Sequence, residues 1–445
     1  MPQTRTLSTV DPISPATERM LGLSDALFGI AITFLALDFG TEVPKSVAEV
    51  NGYLWSNFPG YLAYVFAFLV VGFQWWRHHW VFRFIKQRTD MLLLLNTSLL
   101  SFVALMPYGM QVLGQGIGAP ICLAFFSGLM FCIGTLLWII WEYAVRRRLI
   151  IPGLEKEVIS HMRVQLVIMP GSFLLIMGLA ILAEMMGWRH DGLGLLLLLV
   201  LLGALASRFF RPHSTGIIEH EIDGGEEAAG TPLERSVLAR LRDGARSERL
   251  TVFTDGVFAV AFTIMALRLR PPHHALENGG DFMAMVSGNS AALIAYFITF
   301  YVLSEQWMRH VRLFDRQVIA DTGMLWINLV FLMFIAFMPF ATELTAEPGG
   351  RTAVLMYLSV LSAATLTQMV MEIYATLDLP PEAIERDDAH RRNRLVRRSA
   401  ILLILGVTMT LALTMPVPEF GLYALMLFTV LDPICQLLAP LPATE

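Results

Sequence analysis

The chain has 445 residues, of which 56% are hydrophobic and 16% are charged, and its formal net charge is −5 at pH 7. A water-soluble protein of this length carries more charge on its surface, so the composition excludes a soluble enzyme and indicates an integral membrane protein. The weak charge balance, with no basic stripe between aromatic residues, argues against a nucleic-acid partner.

The beginning of the chain lacks an apolar core followed by a small-residue cleavage site, so we expect no removable signal peptide. A spanning helix needs about 20 mainly apolar residues. Windows of that kind follow one another along the chain, at roughly 21–38, 57–76, 91–113, 118–143, 163–187 and 191–207, and again at roughly 250–267, 285–306, 323–343, 352–374, 399–418 and 420–440. The sequence therefore predicts an all-α polytopic protein with twelve transmembrane helices.

The second half of the chain repeats the first. At a shift of 230 residues, eight of the twenty positions in 18–37 and 248–267 are identical. Further matches at shifts of 232 and 230 pair Gln74-Trp75 with Gln306-Trp307, Arg77-His78 with Arg309-His310, Asn96 with Asn328, Met106-Pro107 with Met338-Pro339, and Glu142 with Glu372. We divide the chain into a first six-helix repeat (1–207), a cytosolic linker (208–248) and a second six-helix repeat (249–445). An even helix count per unit makes the repeats parallel.

Basic residues near the helix ends predict the orientation. With a cytosolic N-terminus, the far side holds only Lys45, Arg189, Arg268, Arg270 and Arg351, and the other 27 of the 32 basic residues lie inside. Both termini are therefore expected to be cytosolic. Only three of the 32 basic residues are lysines, which hints at a GC-rich bacterial genome. We expect a bacterial plasma membrane rather than an endosome or lysosome.

Each repeat opens with a charged motif where an apolar helix begins. The first copy combines Arg19 with Ser24 and Asp25, and the second combines Arg249 with Thr254 and Asp255. A hydroxyl residue followed by Asp at a helix start often serves only as an N-cap. The occurrence of the motif in both copies favours a larger role.

Beyond the motif, one face of each helix carries a single hydroxyl between aliphatic residues. Ile30, Thr33 and Leu37 share a face in the first copy, and Val260, Thr263 and Leu267 share the equivalent face in the second. Such a Thr usually bonds its own backbone or a neighbouring helix. The functional alternative is a pore face on which aliphatics form a dewetting constriction and Thr offers an oxygen to a cation.

The later helices of each repeat contain polar residues that need hydrogen-bond partners in an apolar environment. Trp75 and His78, like Trp307 and His310, lie three residues apart on one helix face, although interfacial placement alone would account for them. Asn96 and Asn328 lie within apolar helices. An Arg-Asp-Trp-His-Asn network that braces the first helix of each repeat is therefore predicted near the cytosolic end. Glu142 and Glu372, near the same end, are expected to snorkel or pair with an Arg.

The sequence motifs typical of enzyme active sites do not occur in a suitable structural context, so we expect no enzymatic activity. The three cysteines lack metal-site spacing, and the histidines lack a second ligand at i+4, so neither a cofactor nor a bound metal is predicted. The TVGYG filter of ordinary potassium channels is also missing.

The doubled motif, Arg-x-x-x-Leu-Ser-Asp at 19–25 and Arg-x-x-x-Phe-Thr-Asp at 249–255, resembles the Arg-x-x-x-Phe-Ser-Asp motif of the transmembrane protein 175 family of potassium channels. Trp-x-x-His and Asn…Pro features on the next two helices resemble that family too. The resemblance implies a homodimer in which the first helix of each repeat lines one central, four-fold-like pore. It places the hydrophobic constriction at Ile30 and Val260, and a selectivity-linked Thr at Thr33 and Thr263. It also implies a proton leak.

This chain departs from the family pattern at Leu23, which replaces the aromatic residue, and at Val260, which replaces Ile. The leading hypothesis is passive, potassium-favouring cation conduction. The alternatives are a parallel-repeat secondary transporter of a small solute and a non-conducting membrane scaffold.

Overall fold

The computed structural model describes residues 15–37, 44, 46–85, 89–115, 119–150, 156–187, 232–269, 290–314, 321–346, 349–377, 388–418 and 423–425. These residues are almost entirely helical. The helices are α1 (Pro15–Phe34), α2 (Val50–Ser56), α3 (Phe58–Arg83), α4 (Asp90–Ala104), α5 (Met106–Gln115), α6 (Pro120–Arg146), α7 (Lys156–Met185), α8 (Pro232–Leu267), α9 (Ser290–Phe314), α10 (Thr322–Ala346), α11 (Arg351–Leu377) and α12 (Asp388–Thr414).

Eight stretches of these described helices are long and apolar enough to cross a membrane. They match eight of the predicted windows, with α4 and α5 together forming one of the stretches. The window at 21–38 corresponds to α1, which carries Glu18, Arg19 and Asp25 among its 20 residues and is not one of the eight. The window at 399–418 corresponds to a shorter apolar stretch, Ser399–Thr414. The windows at 191–207 and, for the most part, 420–440 lie outside the described residues.

The chain divides into two compact units, one formed by 1–28 with 70–235 and the other by 29–69 with 236–445. In the first unit, α6 packs along α7, and Gly134 makes this possible. A Cβ at Gly134 would lie 3.2 Å from ring atoms of Pro170, which lies inside α7. The missing side chain therefore lets the two helices approach at the proline.

The second unit includes the last residues of α1, from Gly29 onwards, and there the backbones of α1 and α8 meet. A Cβ at Gly29 would lie 3.2 Å from the carbonyl oxygen of Phe253 and 3.5 Å from the nitrogen of Val257. Small residues at such a crossing allow close helix packing where apolar association alone gives no driving force in lipid. The first helices of the two repeats are therefore in direct contact over this stretch.

The linker predicted at 208–248 is helical from Pro232 onwards, and its residues before 232 lie outside the described part of the chain. The helix that begins there continues through the second motif to Leu267 as a single element of 36 residues. At about 1.5 Å per residue, such a helix exceeds the roughly 30 Å of a bilayer core. It therefore extends the second motif helix well beyond an apolar span.

Replacing Gly134 by Leu should lower the thermal stability of the detergent-purified protein, because the new side chain collides with Pro170. Overpacking of this kind typically costs about 1–3 kcal/mol. Gly178→Leu is the matched control, since a Cβ at Gly178 of α7 meets nothing within 4 Å. Melting followed by size-exclusion chromatography compares the two, and equal melting temperatures would contradict the packing described for α6 and α7.

Candidate functional site

In the first unit, side chains from α1, α3 and α4 form a buried hydrogen-bond network. The indole Nε1 of Trp75 donates to Oδ1 of Asp25 at 2.9 Å. The amide of Asn96 donates to Oγ of Ser24 at 3.0 Å, and its oxygen lies 2.9 Å from Nε2 of His78. All five side chains are almost inaccessible to solvent. The first motif is thereby tied to both following helices.

The second unit contains the same network built from α8, α9 and α10. Trp307 donates to Oδ1 of Asp255 at 2.7 Å, and Asn328 donates to Oγ1 of Thr254 at 2.9 Å. The oxygen of Asn328 lies 3.1 Å from Nε2 of His310. Asp, Trp, Asn and His thus recur in the same pairings in both copies, and the hydroxyl partner of Asn is Ser24 in one and Thr254 in the other.

Chain geometry explains why these residues meet. Trp75 and His78 lie three residues apart on α3, so both point to the same face. On that face Trp75 donates to Asp25 of α1, and His78 bonds Asn96 of α4. Since the Asn96 nitrogen donates to Ser24, its oxygen faces His78, whose Nε2 must carry a hydrogen. Ring contacts hold the imidazole further, with Phe82 stacked on it at 4.4 Å between centroids. The same stack recurs between His310 and Phe314 at 4.5 Å.

The two networks differ in their exposure. Asp25 and Trp75 are buried, whereas Asp255 is exposed and Trp307 is 37% exposed. Arg19 is exposed near the beginning of α1, and Arg249 is half-buried on α8. The second copy therefore presents its carboxylate to the surroundings of the single chain, and the first does not.

The aliphatic residues predicted to form the pore face are largely accessible in the single chain. Ile30 and Leu37 are each 41% exposed and Leu267 is 79% exposed, while Val260 is half-buried. The two threonines differ from each other. Thr33 is fully buried and donates to the carbonyl of Gly29 at 2.7 Å. Thr263 is exposed and bonds only the carbonyls of its own helix turn, at Ala259 and Val260.

Among the acidic residues, Glu142 forms ion pairs with Arg146 and Arg163, at 2.9 Å and 2.7 Å. Since Arg163 belongs to α7, this carboxylate links α6 to α7. Within the described residues, no group of three His, Cys, Asp or Glu side chains is arranged to hold a metal ion.

Sequence reasoning missed two ion pairs, Glu305 with Arg309 and Glu343 with Arg268. Glu305 is buried on α9, 3.6 Å from Arg309 one turn later. Glu343 on α10 pairs with Arg268, which follows the end of α8. The first pair has a detectable signal, because opposite charges at i and i+4 inside an apolar helix indicate an internal ion pair. The second pair spans 75 residues of chain, and no local pattern indicates it.

Residues 19–107 and 249–339 match the family described as endosomal/lysosomal potassium channel TMEM175. A protein of Gallus gallus named endosomal/lysosomal proton channel TMEM175 is 27% identical over 346 residues, which are 74% of this chain and 67% of that protein. A potassium channel of Streptomyces collinus is 33% identical over 136 residues, 29% of this chain and 64% of its own. A potassium channel of Chamaesiphon minutus is 28% identical over 122 residues, 26% of this chain and 60% of its own. The matches to the two bacterial proteins thus cover less than two thirds of those relatives.

Asn96→Leu should destabilise the first network, because it leaves the buried Ser24 and His78 without their shared partner. Leaving a buried polar group without a hydrogen-bond partner lowers the free energy of unfolding by about 1–3 kcal/mol. Thr97→Val is the control, since the hydroxyl of Thr97 is exposed and donates to the carbonyl of Leu93 in its own helix. Thermal melting in detergent should therefore fall clearly for the first variant and hardly for the second. Similar melting for both would mean that the network contributes no stability.

Proposed function

We propose that this chain, which belongs to the TMEM175 family and is an integral multi-pass membrane protein, is a passive cation channel that favours potassium. The observation that carries the proposal is the doubled network, in which Trp75 and Trp307 hold the motif carboxylates Asp25 and Asp255 in the same way. The family consists of ion channels, not enzymes. Bacterial relatives are named potassium channels and the animal relatives proton channels, so we assign potassium conduction with a proton leak.

The proposed assembly is a homodimer of twelve-helix chains, each with repeats at 1–207 and 249–445 and both termini in the cytosol of a bacterial cell. Four first helices, two from each chain, then surround one pore. The exposed side of α1 supports this arrangement. Leu23, Ile30 and Phe34 are exposed there and fall on one face at i, i+7 and i+11, and Leu37, in the turn that closes α1, is exposed as well. A continuous apolar stripe of this kind is suited to line or close a pore.

The constriction is proposed at Ile30 and Val260. Aliphatic side chains at a narrow point exclude water, and conduction then requires the helices to separate until the point is wetted. Contact between Gly29 and the backbone of α8 keeps the two chain segments that carry these residues side by side. No tightly bound cation is needed for such a gate.

The direct test is bi-ionic recording of the purified protein in planar bilayers, with potassium on one side and sodium on the other. We expect discrete single-channel steps and a reversal potential that favours potassium. Ile30→Ala and Val260→Ala should each raise the current, because smaller side chains widen the constriction and admit water. Leu182→Ala, at an exposed position on α7, is the control and should leave the current unchanged. Saturable solute uptake without single-channel steps would instead indicate a secondary transporter.

The two threonines should contribute unequally to selectivity. Thr263→Val removes an exposed hydroxyl from the proposed pore face, so we expect it to lower the potassium-to-sodium permeability ratio severalfold. Thr33→Val removes a buried hydroxyl that donates to the carbonyl of Gly29 and does not face the proposed pore. The potassium-to-sodium permeability ratio of this variant should therefore stay near that of the wild type. Bi-ionic reversal potentials of both variants, measured in the same lipid, provide the comparison. An equal shift for both would contradict the unequal roles.

A further inference from the structure

Arg268 lies immediately after α8 and reaches two other elements. One terminal nitrogen, Nη2, donates to the carbonyl oxygen of Leu37 at 2.7 Å. The other, Nη1, pairs with Oε2 of Glu343 on α10. Leu37 belongs to the turn that closes α1. One guanidinium therefore joins the far end of the first repeat's opening helix to the equivalent end in the second repeat and to a third helix. We call these three residues the clamp.

The geometry and burial of the clamp suit a structural link. The arginine side chain is 11% exposed and the glutamate side chain 10% exposed. The last carbonyls of a helix have no partner within it, and an Arg near a helix end often serves those of its own helix. Arg268 instead serves the end of another helix. Its planar fork can hold a carbonyl and a carboxylate together, which an ammonium group does less well.

The clamp adds to another attachment between α1 and α8 within the described residues. That attachment is the close approach of Gly29 to the backbone at Phe253. Gly29 and Leu37 are eight residues apart, or about 12 Å along a helix. Ile30 and Thr33 lie between them. The stretch of α1 that carries the proposed constriction is therefore fastened at both ends.

We propose that Arg268, held by Glu343, is a positioning residue that opposes opening of the constriction. This inference rests on the proposed channel function. A hydrophobic constriction conducts only when its helices separate enough to admit water. Because the clamp holds the end of α1 against α8, separation at that end must break the bond to Leu37. Loss of the clamp then favours the open state.

Single-channel recording of Arg268→Gln and Glu343→Gln tests the proposal. These substitutions change the local charge in opposite directions, yet both weaken the clamp. We expect open probability to rise at least about threefold in both variants, which corresponds to roughly 0.65 kcal/mol by the relation between free energy and equilibrium constants. The double variant should add little to either single one. A purely electrostatic role would move unitary conductance in opposite directions, and open probabilities like that of the wild type would overturn the proposal.

Arg351→Gln is the matched control. Arg351 donates to the carbonyl oxygen of Met415 at 2.9 Å, so it makes the same kind of bond without touching α1 or α8. Its loss should leave open probability unchanged. A rise equal to that of Arg268→Gln would show a general loosening of the protein, and would also overturn the proposal.

Hydrogen exchange gives a readout that does not depend on current. The amides of Ala36 and Leu37 bond the carbonyls of Thr33 and Phe34, at 3.2 Å and 3.0 Å. Peptides that contain them should exchange faster in Arg268→Gln than in the wild type or in Arg351→Gln. If the wild type carries no current but this difference appears, the channel assignment fails and the clamp stands. If exchange is unchanged, the clamp itself is wrong.

Discussion

A carboxylate on an apolar helix is stabilised by hydrogen-bond donors inside the protein, because neighbouring apolar groups offer none. In each half of this chain, the indole of the next helix supplies one, from Trp75 to Asp25 and from Trp307 to Asp255. Each bond favours a rotation of the motif helix about its own axis in which the carboxylate faces the indole. Once the carboxylate faces the indole, the residues on the opposite side of the helix are also determined. The polar network therefore decides which aliphatic side chains remain accessible.

Much of this arrangement could be predicted from the sequence. Hydropathy located the eight apolar stretches, because a bilayer imposes its thickness on every spanning helix. The spacing of Trp75 and His78, repeated at Trp307 and His310, indicated polar groups on shared faces, and the structure pairs them with the motif residues and with Asn96 and Asn328. Local periodicity and the internal repeat were sufficient here, since the partners in each half lie on three long helices that are close in the chain.

Other features could not be predicted, because they depend on contacts between distant parts of the chain. Helical periodicity places Thr33 and Thr263 at equivalent positions, but only the first is buried. Arg268 looked like an ordinary loop residue near a helix end, yet its partners are Leu37 and Glu343. Nothing in the residues around an arginine shows which distant carbonyl it will reach. Gly29 was likewise one apolar-helix glycine among several until its neighbour at Phe253 was known.

The two halves also differ in the partners of an equivalent buried arginine. Arg77 is buried and is satisfied by neutral groups, the oxygens of Gln74 and Leu166 at 3.1 Å and 3.2 Å. Arg309, its counterpart, lies 3.6 Å from the carboxylate of Glu305, where the first half has Phe73.

Four identical chains around a pore would have to place every such residue identically. A tandem chain is free of that constraint, because each half is encoded separately. The exposed stripe on α1 passes through Leu23, Ile30 and Phe34, whereas the equivalents on α8 include the buried Phe253 and Ile264. The two opening helices thus present different faces to their surroundings. In the proposed channel, a gate built from these two helices would have non-identical linings, so that selectivity and opening could be tuned on separate helices.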